Sequence, residues 1–278
     1  MAGMIKSLDK QPREYCGQPV AGAKRSVTGR RESLAGRIGR EKKIGIIAGT
    51  GVAESIIDGK LKKQIIRTPY GQVTFGIGNL GDKEIYYLNR HGEAHCPAYQ
   101  INYRANIWAL AQVRVSGIFA TATVGTLTRG MKPGDFCLLT DFLDFTRSRI
   151  GYFDNKFNTD VTFPYDEALR AMISQAAARL RMPLRPEAVY VCVEGPRFES
   201  PAEIKMFRKL GGDVVGMTQV PEVVLAAEKR IPYAVVGIIT NYGAGLKRAP
   251  ITAAEVYEMM GQRNMALGEL VRDTIIRL

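Results

Sequence analysis

Histidine is nearly absent from this 278-residue chain. His91 and His95 are the only two, which excludes a histidine-rich metal centre. Cysteine is sparse as well. Cys16, Cys96, Cys137 and Cys192 stand far apart, form no C-x-x-C pair and meet a histidine only at His95–Cys96, so they read as reduced thiols. No apolar run approaches the roughly twenty residues that cross a bilayer, and no apolar h-region follows the start. Neither a membrane partner nor a secretory signal is therefore expected, and the expected location is the cytoplasm. No internal repeat stands out.

What is present is an ordinary hydrophobic share of 46%, in a length that suits one α/β domain better than two small ones. Charge is unevenly spread. Residues 1–43 hold eleven Lys/Arg against four Asp/Glu, which accounts for +7 of the formal +12. The stretch AGAKRSVTGRRESLAGRIGREKK is rich in Gly, Ser and Arg and lacks apolar periodicity, so residues 1–42 read as a basic, flexible arm. Contact with RNA or an acidic partner, a targeting role, and extra residues from an upstream start codon are its competing explanations. The arm has no interleaved aromatics and residues 43–278 carry no basic recognition motif, so a nucleic-acid partner is not expected.

From residue 43 onward β-rich runs alternate with helical patterns. Strands are predicted at 44–48, 73–77, 84–89, 118–124, 136–142, 189–193, 213–217 and 233–240, several of them continuously apolar as strands buried on both faces are. A helix is predicted over 167–181, with Leu169, Met172, Ile173, Ala176, Ala177 and Leu180 on one face. SPAE at 200–203 and TAAE at 252–255 are capping boxes opening two more helices. The second should turn Val256, Met260, Leu267, Leu270 and Val271 inward. The alternation argues an α/β fold, a single domain with a central mixed β-sheet flanked by helices.

GIIAGTG, at 45–51, raises the question of which phosphate loop it is. The dinucleotide pattern fails because Glu54 stands where the third glycine belongs, and the P-loop fails because no Lys-Ser/Thr follows. What survives is a short turn with exposed N–H groups and the Thr50 hydroxyl, enough for one phosphate. Three more strand ends carry phosphate-competent groups. LNRHGEAH places Arg90 and His91 side by side, and an Arg there is a natural bidentate clamp. TATVGTL ends in small residues, and Thr218 in GMTQVPEVVLAAE precedes a helix opened by Pro221 and Glu222. A surface Arg paired to a carboxylate is the plainer reading of Arg90 taken alone. Ligands of open α/β sheets gather at strand carboxyl ends.

In this order GIIAGTG, RHG, NYRANIWAL, EGPRFES-AE, GMT-VPEVVLA-E and TNY resemble the trimeric purine nucleoside phosphorylase and methylthioadenosine phosphorylase family, over about residues 43–278. The resemblance implies a nucleoside phosphorylase-like fold and phosphorolysis of a purine nucleoside to free base and ribose 1-phosphate or its 5-methylthio analogue. Inorganic phosphate is then a co-substrate, with no metal, no other cofactor and no covalent enzyme intermediate. It further implies a homotrimer, with a hexamer as the alternative. Carried over, Thr50, Arg90, His91 and Thr218 hold phosphate, and Ala122–Thr123 line the same site through their backbone. The small residues before Gly125 differ from the family's, so the resemblance assigns no role to the Thr123 hydroxyl. Met217 packs under the ribose, Phe198 and Glu199 lie on the purine side, and Asn241 meets the base edge with Gly243 beside it. Asn241, Thr218 and His91 are the residues implied nearest the chemistry.

Adenine-specific members have an aspartate where this chain has Asn241, and a second where it has Gly243. An Asn amide donates to N7 and O6 of a 6-oxopurine while Glu199 accepts from N1–H. Inosine, guanosine and 5′-methylthioinosine are thus favoured, and methylthioadenosine is the alternative because an amide can turn over and accept from an amine. No histidine follows His95 to meet a 5′-hydroxyl, and none stands in FDNKFNTDVTFPYDE to come from a neighbouring subunit. Val256 and Met260 instead lean toward an apolar 5′ group, with helix core as their plainer reading. A relative without activity, kept for assembly, is opposed by the intact set Thr50, Arg90, His91, Thr218 and Asn241.

Overall fold

β1 (Lys43–Ala48) begins the described chain, and its apolar run is divided between two cores. Ile47 packs on one side of the sheet, and Ile44, Ile46 and Ala48 on the other. Successive strand side chains point to opposite faces, so a run with no polar interruption marks a sheet covered on both. The computed structural model describes residues 43–49, 56–57, 59–148, 150–152 and 158–278, all within the compact unit Ser33–Leu278. The basic arm, Thr50, Gly51 and Glu54 lie outside the described residues, as does part of FDNKFNTDVTFPYDE.

Eight further strands are β2 (Lys62–Thr68), β3 (Gly71–Leu80), β4 (Lys83–Asn89), β5 (Gly117–Thr126), β6 (Phe136–Asp144), β7 (Leu184–Cys192), β8 (Val214–Gly216) and β9 (Tyr233–Tyr242). They join β1 in one mixed sheet of order β2-β3-β4-β1-β5-β8-β7-β6-β9. β9 also pairs with β5, which closes β5, β8, β7, β6 and β9 into a ring. β4, β1, β5 and β9 run parallel, so their carboxyl ends share one side. β8 is antiparallel to β5, with Val215 opposite Gly125, and carries the chain after Gly216 back toward Thr123.

The helices are α1 (Tyr103–Gln112), α2 (Glu167–Arg179), α3 (Pro201–Lys209), α4 (Gln219–Glu228) and α5 (Ala253–Ile276). Asn102, Asp166, Ser200 and Thr252 each accept an N–H of the first turn through their side chains, contacts worth about 1 kcal/mol apiece. The Ser200–Glu203 box is complete. Thr252 accepts from Glu255, whose carboxylate lies 3.8 Å from Lys247. α2 stops at Arg179, short of the predicted end, and Arg181 takes a left-handed φ of 52° in the turn that follows. The one tryptophan, Trp108, meets Tyr70 and Tyr152 edge-on at 5.4 Å, with Lys229 Nζ 3.9 Å above its ring. Among the described residues no helix is long and apolar enough to cross a membrane.

β2 and α1 have no counterpart in the prediction from periodicity. β2 is mostly exposed, with Lys62, Lys63 and Arg67 beside two isoleucines, so neither alternation nor an apolar run marks it. α1 buries Tyr103, Ala105, Asn106, Ile107, Ala109 and Leu110, which wraps apolar surface around the helix and erases the stripe.

Candidate active site

Arg90 follows directly on β4, and its N–H donates to Ala48 O of β1 at 3.0 Å, which locks it to the neighbouring strand end. The side chain is buried. Its Nε and Nη2 clasp Glu222 of α4 at 2.8 Å each, and Nη1 donates to Thr121 O of β5 at 2.8 Å. A guanidinium has five N–H donors. Three are used, and one on each terminal nitrogen has no partner among the described residues. The surface-pair reading of Arg90 is thus half right: there is a carboxylate, but the pair is fully buried. Despite its burial, Arg90 keeps its proton at any ordinary pH, because Glu222 more than compensates the desolvation.

His91 is half-buried, and its Nδ1 lies 2.8 Å from Cys96 O. A carbonyl only accepts, so Nδ1 carries the proton and Nε2 is the ring atom left for a ligand. Burial lowers the pKa of His91 below 6.5, and Arg90 and His95 add to the lowering; the Cys96 carbonyl and Glu222 oppose it. Between pH 6.5 and that lowered value the unfolded chain binds a proton that the folded chain does not, so stability falls as pH falls through the window. His91→Asn should therefore flatten the melting-temperature slope below pH 6.5 in phosphate-free buffer. Parallel slopes in the two proteins would remove His91 as its source.

Around these two residues lies a cavity of about 840 Å³, within the usual range for small-molecule sites. One wall is built from strand ends: Gly49 after β1, Arg90 and His91 after β4, Thr121, Ala122 and Thr123 of β5, and Thr218 after β8. Thr218 stands at the N-cap position of α4 with no capping bond from its side chain, and its N–H donates to Tyr190 Oη at 3.1 Å. α5 supplies a second part of the lining, with Val256, Tyr257, Met260, Gly261, Asn264 and Leu267, and Phe198 also borders the space. Among the described residues no Asp or Glu lines it. A lining of N–H and O–H donors without carboxylates suits an anion, and the apolar α5 residues suit a less polar group. Among the described residues no group of three or more His, Cys, Asp or Glu side chains could hold a metal ion.

A family model described as the phosphorylase superfamily matches residues 43–276. The chain belongs to that superfamily. It is 44% identical over 240 residues to "6-oxopurine nucleoside phosphorylase" of Pyrococcus furiosus, an alignment covering 82% of this phosphorylase and 90% of that protein. It is 44% identical over 236 residues to "Probable S-methyl-5'-thioinosine phosphorylase" of Methanopyrus kandleri, covering 84% and 91%. Among solved structures, methylthioadenosine phosphorylase from Schistosoma mansoni in complex with adenine superposes with a TM-score of 0.80 at 28% identity, covering 84% of this phosphorylase and 91% of that chain.

Of the residues singled out in the sequence, Arg90, His91, Ala122, Thr123, Thr218, Phe198 and Val256 of the phosphorylase border one cavity. Four others do not border it, and two of these, Glu199 and Met217, adjoin in sequence a residue that does. Glu199 follows Phe198; it is buried, which raises its carboxyl above the usual pKa. Met217 precedes Thr218, its sulfur packed against Gly195. Asn241 is buried opposite Gly125 of β5, its Oδ1 accepting from Thr240 Oγ1 at 2.9 Å and its Nδ2 donating to Tyr242 O at 3.1 Å. Gly243 donates its N–H to Thr126 O at 2.8 Å, and an added Cβ would stand 3.0 Å from Ile204. Val256 and Met260 do not join the core of α5, as their inward spacing predicts; they are half-buried on the cavity wall, and the core belongs to Leu267, Leu270 and Val271. Sequence reasoning missed Glu222 as the partner of Arg90. It also missed Tyr257 and Asn264, which continue the cavity face of α5 at the same helical spacing as Val256 and Met260.

Proposed function

We propose that this phosphorylase cleaves the N-glycosidic bond of 6-oxopurine nucleosides with inorganic phosphate, acting on inosine, guanosine or 5′-methylthioinosine. The observation that carries the reading is the cavity whose lining joins Arg90, His91 and Thr218 at the strand ends with Val256 and Met260 of α5, with no carboxylate among the described lining residues. The names of the Pyrococcus furiosus and Methanopyrus kandleri relatives support the 6-oxopurine and methylthioinosine substrates. Among these sugars the apolar face of α5 favours a 5′-methylthio group.

In this reading phosphate sits against Arg90, His91, Thr218 and the β5 backbone at Ala122–Thr123, with Thr50 completing its shell. As the bond from C1′ to the purine nitrogen lengthens, the sugar gains positive charge, which the clamped anion stabilises. A phosphate oxygen then bonds to C1′, and the electron pair of the broken bond leaves with the purine. Asn241 donates to the base edge while Glu199 accepts from N1–H, and Gly243 leaves room beside them. Met217 supports the ribose. Holding both reactants in one cavity removes much of the entropic barrier. Phosphate is the co-substrate, and no step calls for another cofactor. We extend the proposal to a cytoplasmic homotrimer built from a catalytic domain at 43–278, with residues 1–42 a separate basic arm.

The test is phosphate-dependent base release from inosine, adenosine, methylthioinosine and methylthioadenosine in parallel. Hypoxanthine release should outpace adenine release, and methylthioinosine should match or exceed inosine. Faster adenine release would favour the second reading, a methylthioadenosine phosphorylase, which the Schistosoma mansoni structure supports. No release from any of the four would overturn the assignment.

A further inference from the structure

Behind the strand-end wall lies a buried polar chain that the proposed chemistry does not itself use. Glu222, Gln219 and Tyr233 are almost wholly excluded from solvent. Glu222 holds the Nε–Nη2 edge of Arg90. The Tyr233 hydroxyl has one proton and two acceptors, Glu222 Oε1 and Gln219 Oε1, the latter at 2.6 Å, and shares the proton between them. Gln219 Nε2 in turn donates to Thr218 Oγ1 at 3.3 Å. Arg90 and Thr218, from strand ends more than 120 residues apart in sequence, are thereby linked through the buried side chains of Glu222, Tyr233 and Gln219.

Such an arrangement is costly to bury, and an apolar core of the same volume would serve stability as well or better. Its polarity suggests what it does instead. Glu222 occupies one edge of the guanidinium and leaves an N–H on each terminal nitrogen. Gln219 donates to Thr218, so the threonine hydroxyl keeps its own proton to give. Both ends of the chain therefore present donors to the cavity. We propose that Glu222, Tyr233 and Gln219 are positioning residues, a single buried relay that orients Arg90 and Thr218 together as donors to the phosphate co-substrate. The inference rests on the reading of this cavity as a phosphate site.

Tyr233→Phe cuts the relay at its middle and keeps the ring. The KM for phosphate should rise about 10-fold while the KM for nucleoside stays within about twofold. Gln219→Met frees only the Thr218 branch and should give a smaller rise of the same kind; it decides the matter if Tyr233→Phe does not fold. The second readout is the melting-temperature increase that phosphate produces by binding the native state. It should shrink in both variants. A folded variant with wild-type phosphate KM and the full phosphate-induced increase overturns the relay. So does a variant whose two KM values rise together over a lowered melting temperature, with the phosphate-induced increase intact, since that is structural support alone. Wild-type protein with neither phosphate-dependent base release nor a phosphate-induced increase overturns the phosphate-site reading itself, a result separable from a loss confined to the variants.

Discussion

Arg90→Ala should raise the KM for phosphate by about 100-fold and lower stability by about 3–5 kcal/mol. The two effects have different origins. The first is the loss of two charge-assisted N–H donors to the anion, each worth about 1.5–3 kcal/mol. The second comes from Glu222, which has no exposed surface and would be left as an uncompensated buried carboxylate. Removing both charges should separate them. The double variant Arg90→Met/Glu222→Met should recover most of the lost melting temperature and none of the phosphate affinity. Arg90→Lys should also do poorly, because one ammonium cannot hold Glu222 side-on and face the cavity too. Steady-state kinetics at varied phosphate, with thermal melts of each protein, measure both effects. A wild-type phosphate KM in folded Arg90→Ala would take Arg90 out of the site.

Asn241→Asp should move base preference toward 6-aminopurines, lowering the inosine-to-adenosine ratio of kcat/KM by about 100-fold. Asn241 is buried with its amide already oriented: Oδ1 accepts from Thr240 and one N–H of Nδ2 goes to Tyr242 O. In the proposed reading, the second N–H of Nδ2 is the donor to a 6-oxopurine. A carboxylate has no such N–H and accepts from an exocyclic amine instead. Gly125, opposite Asn241 in the register, keeps this side chain in place, since an added Cβ would stand 3.1 Å from Nδ2. An unchanged ratio in the variant would count against Asn241 as the base-reading residue.

Much of this was legible in the chain because the covered strands announce themselves. β1, β5 and β9 are largely apolar and buried along nearly their whole length, since both faces of the sheet are packed, and phosphate-competent residues stand within or just beyond the strands. β2 was not legible because an exposed edge imposes no pattern, nor α1 because burial nearly all round leaves no stripe. The partnership of Arg90 with Glu222 spans 132 residues. Nothing local marks it: Glu222 reads equally well as an acidic residue at a helix start, which it also is. Tyr233 and Gln219 are hidden for the same reason, one inside an apolar strand and the other beside a helix cap. The cavity face of α5 was half legible. Its spacing at 256 and 260 is that of any inward stripe, and only the tertiary position of the helix separates a wall from a core.

Closing β5, β8, β7, β6 and β9 into a ring also bears on how copies of this chain can meet. An open sheet offers two unpaired edges to which a neighbour's strand can add. Here β9, last in the strand order, spends its free side on β5, so among the described residues the outer edge at the end of the strand order is β2. That edge carries Lys62, Lys63 and Arg67, all exposed, and like charges set face to face repel. Joining by strand addition is disfavoured at both ends of the sheet. Association between copies is thereby steered toward helices and loops, whose side chains can choose a partner.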